Sequence, residues 1–282
     1  MALQDILLRI ESYPERTTDG AIDDAVAWAK AMGGALSALA VQVDIPLSIN
    51  VLADRLTDLR TLEKEAEAGS LASCRSALAH FEAAARAAGV HGGASLERVD
   101  LFSVGDAVAR QARTRDLCIV PLGAGGGDAP ASAHELIFQS GRPVLAFAAD
   151  REGRGVPSLA KVAVAWDGSR AAARALADAM PVLKRAGSVR VVTFLNEKET
   201  ARPGLGRDVL RHLSVHGIDA GAREVDIKGE RIGRALDAYR AEEPADLLVM
   251  GAYGHARMLE FVLGGATEHV LNAPPTAIFL SH

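Results

Sequence analysis

Apolar and polar positions along the chain fall into blocks, and the blocks occur twice. From Lys161, "KVAVAWDGSRAAARALADAMPVLKRAGSVRVVTFLNE" runs as a short apolar stretch, an Asp-Gly-Ser turn, an Ala/Leu-rich amphipathic segment, a Gly, and a β-branched stretch. Apolar residues at helical spacing between two short β-branched runs predict strand, helix, strand. The start of the chain has the same order: "DILLRIES", "TTDGAIDDAVAWAKAMGG", then "ALSALAVQVD" from Ala35 to Asp44. Further on, "RDLCIVPLGAGGGD" corresponds to "ADLLVMGAYGHAR", with Asp116 and Asp246 just ahead of apolar runs. Both halves close on Pro and an apolar run, "RPVLAF" and "PPTAIF". Between these anchors each half has room for a helix, a strand ("SLERVD" and "AREVDI") and another helix ("VGDAVARQART" and "ERIGRALDAYRA"). Each half therefore reads βαβαβαβαβ. Parallel neighbours need crossover connections, so the pattern predicts two α/β domains, each a doubly wound, five-stranded parallel sheet with helices on both faces.

The halves differ mainly in one place. Ser48 to Gly89 is charged, Ala-rich and poor in breakers, which predicts one extended or broken helix that the second half lacks. The polar, Gly- and Pro-containing stretch "AADREGRGVPSLA", Ala148 to Ala160, reads as a linker. It divides residues 1–150 from residues 151–282, with the boundary near Gly155.

Composition narrows the function classes. A chain of 282 residues, 49% hydrophobic and 24% charged, fits a globular protein of two domains. A formal net charge of -5 supplies no general electrostatic reason to bind nucleic acid or an anionic membrane. Cys74 and Cys118 are isolated in sequence, against a disulfide framework or a Cys-rich zinc site, and a reducing cytoplasm is the expected location. The N-terminus lacks a basic region followed by an apolar core, and no apolar run approaches the roughly 20 residues of a membrane span.

In open parallel sheets, ligands settle beyond the C-terminal strand ends where the strand order reverses. Two segments of the second half converge there by this rule, the turn "WDGSR" and the loop "MGAYGHARM". The Asp167 carboxylate can accept hydrogen bonds from an adenine amino group or ribose hydroxyls. Gly251 and Gly254 allow close backbone approach to a ligand and a positive φ. Gly264 and Gly265 open a predicted helix whose free N–H groups and dipole suit an anion. Trp166 and Phe194 are placed either to line an adenine pocket or to fill the core. Without a ligand, the same glycines simply shape a strand-to-helix turn.

Gly251, two residues, Gly254, nine residues, Gly264 resembles the nucleotide loop of the universal stress protein family, and Asp167-Gly168-Ser169 resembles that family's adenine-side turn. The second half follows the family's element order, and the first half follows it with degenerate motifs. The resemblance is to a tandem universal stress protein over nearly all 282 residues. It implies an adenine nucleotide hydrolase-like fold, arranged as an intramolecular pseudo-dimer paired through the last strand of each half. It also implies a stress-response role, with ATP or an AMP-like nucleotide bound in some members and not in others. The residues it assigns to nucleotide are Asp167, Gly168, Ser169, Phe194, Gly251, Gly254, His255, Gly264, Gly265 and Thr267. Where the family pattern has Ser or Thr after the third Gly, this chain has Gly265, so that hydroxyl is missing. Thr267 lies in the first helical turn, Glu268 beside it repels polyphosphate, and His255 and Arg257 offset that repulsion if turned inward. In the first half Glu11 stands at the position of Asp167, Pro121 at that of Gly251 and Ala124 at that of Gly254. Pro121 fixes φ and removes a donor, and "GAGGGD" lacks a P-loop ending, so only the second half keeps the outline of a site.

Other chemistry is sparse. His212 and His216 have an i, i+4 spacing without the Glu or third ligand of a metal site, and read as a solvated helix surface. His269 reads as a packing or surface residue, and Cys118 as a buried thiol. No nucleophile elbow, Ser-His-Asp order or paired catalytic carboxylates occur, so no catalytic residue and no metal are assigned, with weak ATP hydrolysis the only enzymatic alternative. The expected partners are a small-molecule nucleotide and, in the rival reading of a nucleotide-free scaffold, other proteins. A monomer and a homodimer of tandem chains both fit.

Overall fold

The computed structural model describes residues 2–45, 59–123, 129–149, 156–197, 201–252, 265–272, 274 and 276–282. The first half contains β1 (Asp5–Ile10), α1 (Asp19–Met32), β2 (Ala35–Asp44), α2 (Leu59–Ala88), β3 (His91–Asp100), a 3-10 turn (Leu101–Ser103), α3 (Val104–Ala112), β4 (Leu117–Leu122), α4 (Ala129–Gln139) and β5 (Val144–Ala148). The second contains β6 (Lys161–Ala165), α5 (Arg170–Leu183), β7 (Ser188–Leu195), α6 (Arg207–Val215), β8 (Ala220–Asp226), α7 (Ile232–Glu242), β9 (Leu247–Gly251), α8 (Gly265–Asn272) and β10 (Ala277–Ser281). The predicted alternation is thus present in both halves. Within Ser48–Gly89, helix α2 occupies Leu59 onward, and residues 46–58 lie outside the described set.

The strands form one ten-stranded sheet in the order β3-β2-β1-β4-β5-β10-β9-β6-β7-β8. Neighbours are parallel except at the centre, where β5 and β10 run antiparallel with Ile278 opposite Ala146, Phe279 opposite Leu145 and Leu280 opposite Val144. Val144 pairs with Cys118 as Ile278 pairs with Leu248, so Val144 and Ile278 hold equivalent places. The three central pairs therefore interchange about Leu145 and Phe279, which lie on a pseudo-twofold axis, the internal counterpart of an isologous contact. The pairing through last strands that the resemblance implied is realised inside one chain.

Local chemistry explains the element ends. Thr18 caps α1 by accepting the Ala21 N–H, and Gly33 ends it in a left-handed conformation, φ 77°. Asp116 and Asp246, flagged by their position before the fourth strand of each half, do the same job twice. Asp116 Oδ2 accepts the N–H groups of Gln4 and Asp5 at 2.8 and 3.0 Å. Asp246 Oδ2 accepts from Ser158 Oγ and Lys161 N at 2.6 and 2.9 Å. Each carboxylate fastens the start of its half's first strand.

The core is shared between the halves on both faces of the sheet. One face gathers Trp28 and Phe81 with Val182, Leu183 and Phe279. The other gathers Leu7, Val108 and Leu136 with Phe194, Tyr239 and Leu271. Burying such side chains contributes about 1.5–3 kcal/mol each. Arg185 adds a polar tie, its Nε donating to Ala31 O at 3.1 Å while Nη1 lies 2.8 Å from where a Gly33 Cβ would stand. No helix among the described residues is long and apolar enough to cross a membrane.

Candidate functional site

In the second half β6 lies between β9 and β7, and the chain leaves β6 toward β7 but returns from β8 to β9. The strand order reverses between β6 and β9, where the C-terminal strand ends leave a crevice. The described parts of the two predicted segments, the turn after β6 and the end of β9, lie side by side at this point. Val162 pairs with Leu247 and Val164 with Val249, so the turn that follows β6 and Gly251 at the end of β9 are neighbours.

The turn after β6 is tightly specified. Asp167 Oδ1 accepts the Ser169 N–H at 2.9 Å, and Ser169 Oγ accepts the Ala172 N–H at 3.1 Å as the N-cap of α5. Gly168 between them has φ 74°, which favours glycine, and its α-carbon faces Leu205, whose methyls lie 3.4 Å from a hypothetical Cβ. The Asp-Gly-Ser sequence thus folds itself and starts the helix, while Asp167 keeps its carboxylate at the strand end.

Gly251 differs from its sequence expectation. Its φ lies outside the left-handed region, and the close approach that requires glycine is made by α5, since a Cβ would stand 2.9 Å from Ala171 Cβ and closer to the Ala171 carbonyl carbon and the Ala172 nitrogen. At the next residue, Ala252 donates its N–H to Ser281 O at 2.7 Å. Gly265 begins α8, where among the described residues a hypothetical Cβ would meet Ile232 Cγ2 at 3.9 Å, and Thr267 is buried in the first turn. Gly254, His255 and Gly264 lie outside the described residues, as does Arg257. Phe194 is only 5% exposed and meets Tyr239 edge-on at 6.0 Å, so its ring fills the core under α7. Trp166 packs, partly buried, on the opposite face of the sheet.

Sequence reasoning missed the neighbouring strand ends. Asn196 and Lys228 adopt positive φ values of 65° and 50°, and Asp226 Oδ1 accepts from Asn196 Nδ2 at 2.8 Å and Lys228 N at 3.0 Å. These hydrogen bonds, that of the Lys228 backbone first, hold the Asp226 carboxyl below the usual range. Asn196 just after β7 and the Lys228-Gly229 pair just after β8 are weak signals for such turns. His269, on α8, packs against Gly233 of α7, its Cγ 2.6 Å from a hypothetical Cβ, and its Nε2 lies 2.9 Å from Asp237 Oδ2. His212 and His216 bring their rings to 4.7 Å at the exposed end of α6, and among the described residues no group of three His, Cys, Asp or Glu is arranged for a metal.

The first-half crevice has different chemistry. Ile6 pairs with Leu117 as Val162 pairs with Leu247, so Glu11 takes the place of Asp167, Pro121 that of Gly251, and Arg9 that of Ala165. Arg9 is 5% exposed and bound to Glu11 at 2.9 Å, so the chain's own ion pair stands where the second half has a small side chain. Ser12, equivalent to Gly168, donates to Val41 O at 2.6 Å and meets Ser70 of α2 at 2.7 Å. Burial pushes the nearby Cys118 thiol up to about 12, an inert state.

Residues 159–280 match the universal stress protein family. A universal stress protein structure from Archaeoglobus fulgidus DSM 4304 superposes with TM-score 0.68 at 16% identity, covering 99% of this chain and 97% of that one. A candidate universal stress protein from Pseudomonas aeruginosa UCBPP-PA14 superposes with TM-score 0.56 at 16% identity, over 99% of this chain and 93% of that one. No curated protein matches. The structural likeness runs through both halves, whereas the sequence match is confined to the half that keeps the Asp-Gly-Ser turn and the glycine loop. The second half, residues 159–280, thus matches the universal stress protein family, and the first half of the chain repeats the fold of that half.

Proposed function

We propose that this chain is a stress-response binding module whose second half holds an adenine nucleotide, ATP or an AMP-like molecule, at the β6/β9 crevice. One observation carries the reading: a self-folded Asp167-Gly168-Ser169 turn stands beside the end of β9 at the strand-order reversal, the place where open α/β sheets bind ligands. Asp167 presents a carboxylate to the base or sugar, and the start of α8 presents backbone donors to phosphate. The missing hydroxyl at Gly265 removes one hydrogen bond to a charged group, about 1.5–3 kcal/mol, which lowers affinity roughly tenfold or more. The role is binding, with no catalytic base assigned. A cytoplasmic location agrees with the family and with two buried free thiols.

A second reading is favoured by Gly251. Because α5 packing alone requires glycine there, part of the glycine pattern survives in a nucleotide-free scaffold that acts through partner proteins. Mass spectrometry of small molecules released on denaturing freshly purified protein, then calorimetric titration with ATP, ADP and AMP, separates the two. Adenine nucleotide bound by the wild type and lost in Asp167→Ala supports the first reading. An empty protein that ignores all three nucleotides supports the scaffold.

A further inference from the structure

Ser281 and His282, at the end of β10, brace the exit of β9. Ser281 is 2% exposed and donates from Oγ to Asp178 Oδ2 of α5 at 3.0 Å. Its carbonyl accepts the Ala252 N–H at 2.7 Å, and His282 Nδ1 stands 3.0 Å from the Ala252 carbonyl oxygen. Since that oxygen only accepts, Nδ1 carries the proton. Ala252 is fully buried and is the residue at which the chain leaves β9 for the glycine loop. Both of its backbone polar groups are therefore held by the C-terminal dipeptide.

His282 is in turn held by the other half of the molecule. Its ring packs on Phe138 of α4 with centroids 4.6 Å apart at 60°, and Phe138 packs on His134 at 4.7 Å. The contact is one-sided about the pseudo-twofold axis. Glu135 and His269 occupy matching places, each over a glycine of the preceding helix, Gly105 and Gly233. By the same offset Phe138 corresponds to Asn272 and His282 to Ala148, so the equivalent positions of the first-half crevice carry no ring pair.

We propose that His282 and Phe138 are positioning residues through which the first half fixes the exit of β9 at the β6/β9 crevice. The affinity arm of this proposal rests on the nucleotide reading above; the geometric arm does not. The test uses the full chain with an N-terminal tag and three variants. His282→Phe keeps a ring and removes the donor, Phe138→Ala removes the ring that seats His282, and Phe138→Tyr keeps it. Phe102→Ala, at a side chain 85% exposed on the 3-10 turn, serves as control. Amide exchange at Ala252 is expected to quicken about fivefold in H282F and F138A, the factor corresponding to loss of one neutral hydrogen bond of about 1 kcal/mol, and to stay at the wild-type rate in F138Y and F102A. Calorimetric affinity for ATP and AMP is expected to fall by a similar factor in the same two variants alone. Wild-type exchange in both H282F and F138A overturns the proposal, as does unchanged affinity in both where the wild type binds. A wild type that binds neither nucleotide removes the nucleotide reading, and the exchange rates then decide the brace by themselves.

Discussion

Replacing Gly251 by Ala tests whether this glycine serves a ligand or a packing contact. The new Cβ would stand 2.9 Å from Ala171 Cβ, and nearer still to two backbone atoms of α5. Unstrained carbon contacts lie at about 3.5–4.0 Å, so the start of α5 has to retreat by roughly 1 Å. That movement pulls on the Ser169 cap and on the turn holding Asp167. Forcing an extra methyl into a packed site costs about 1–3 kcal/mol. With about 2–4 °C per kcal/mol for a chain somewhat shorter than this one, melting should fall by roughly 2–12 °C. Gly265→Ala is the internal comparison: among the described residues its Cβ meets Ile232 Cγ2 at 3.9 Å, an ordinary contact, and a helical Gly-to-Ala change gains up to about 1 kcal/mol. Differential scanning calorimetry on both variants without nucleotide decides the matter. A Gly251→Ala protein as stable as wild type that nevertheless loses nucleotide would refute the packing account and return the glycine to the ligand.

Other expectations follow from single contacts. Asp246→Ala removes the acceptor for Ser158 and Lys161 and is expected to lower stability by about 2 kcal/mol in urea titration, with Asp116→Ala close behind because it fastens β1 in the same way. Phe279→Ala opens a cavity on the pseudo-twofold axis, and a loss of about 3–5 kcal/mol is expected by the same assay. Cys118 should resist a thiol reagent at pH 8 until the protein is unfolded, since its thiol stays protonated to about 12. Its folded pKa lies above the unfolded value, so this contribution is complete below about pH 8.5 and is lost as pH rises toward 12. Tyr239, raised to about 12 by burial and then by Glu243, acts in the same direction, and denaturant midpoints measured from pH 8 upward should decline.

The fold was legible because its information is periodic. Strands such as Ala35–Asp44 and helices bounded by Thr18 and Gly33 carry their limits in the sequence, and register makes Glu11 the counterpart of Asp167 and Pro121 that of Gly251. The site was legible only as far as local chemistry reaches. Asp167-Gly168-Ser169 folds through bonds among its own residues and the helix it opens, so spacing reveals it. Gly251 is set by Ala171 and Ala172 in the first turn of α5, distant in sequence, and nothing in "VMGAYG" announces that neighbour. Phe194 shows the same limit, since which face of β7 it occupies depends on Tyr239 across the core. Arg9 was passed over altogether, because a charge inside an apolar strand acquires meaning only beside Glu11 on the same face.

The antiparallel pairing of β5 with β10 has a consequence for how the molecule can vary. In a dimer of identical subunits every substitution appears on both sides of the axis, and the contact dissolves on dilution. Here the two sides are written separately, so Arg9 can stand at the position that Ala165 holds in the other half, and Glu135 at that of His269, without either change being copied across. The linking chain also keeps each half at a fixed effective concentration of its counterpart, in the millimolar range for short tethers, whatever the abundance of the protein. Dilution cannot part the two sites, so one side can specialise while the other serves as its permanent support.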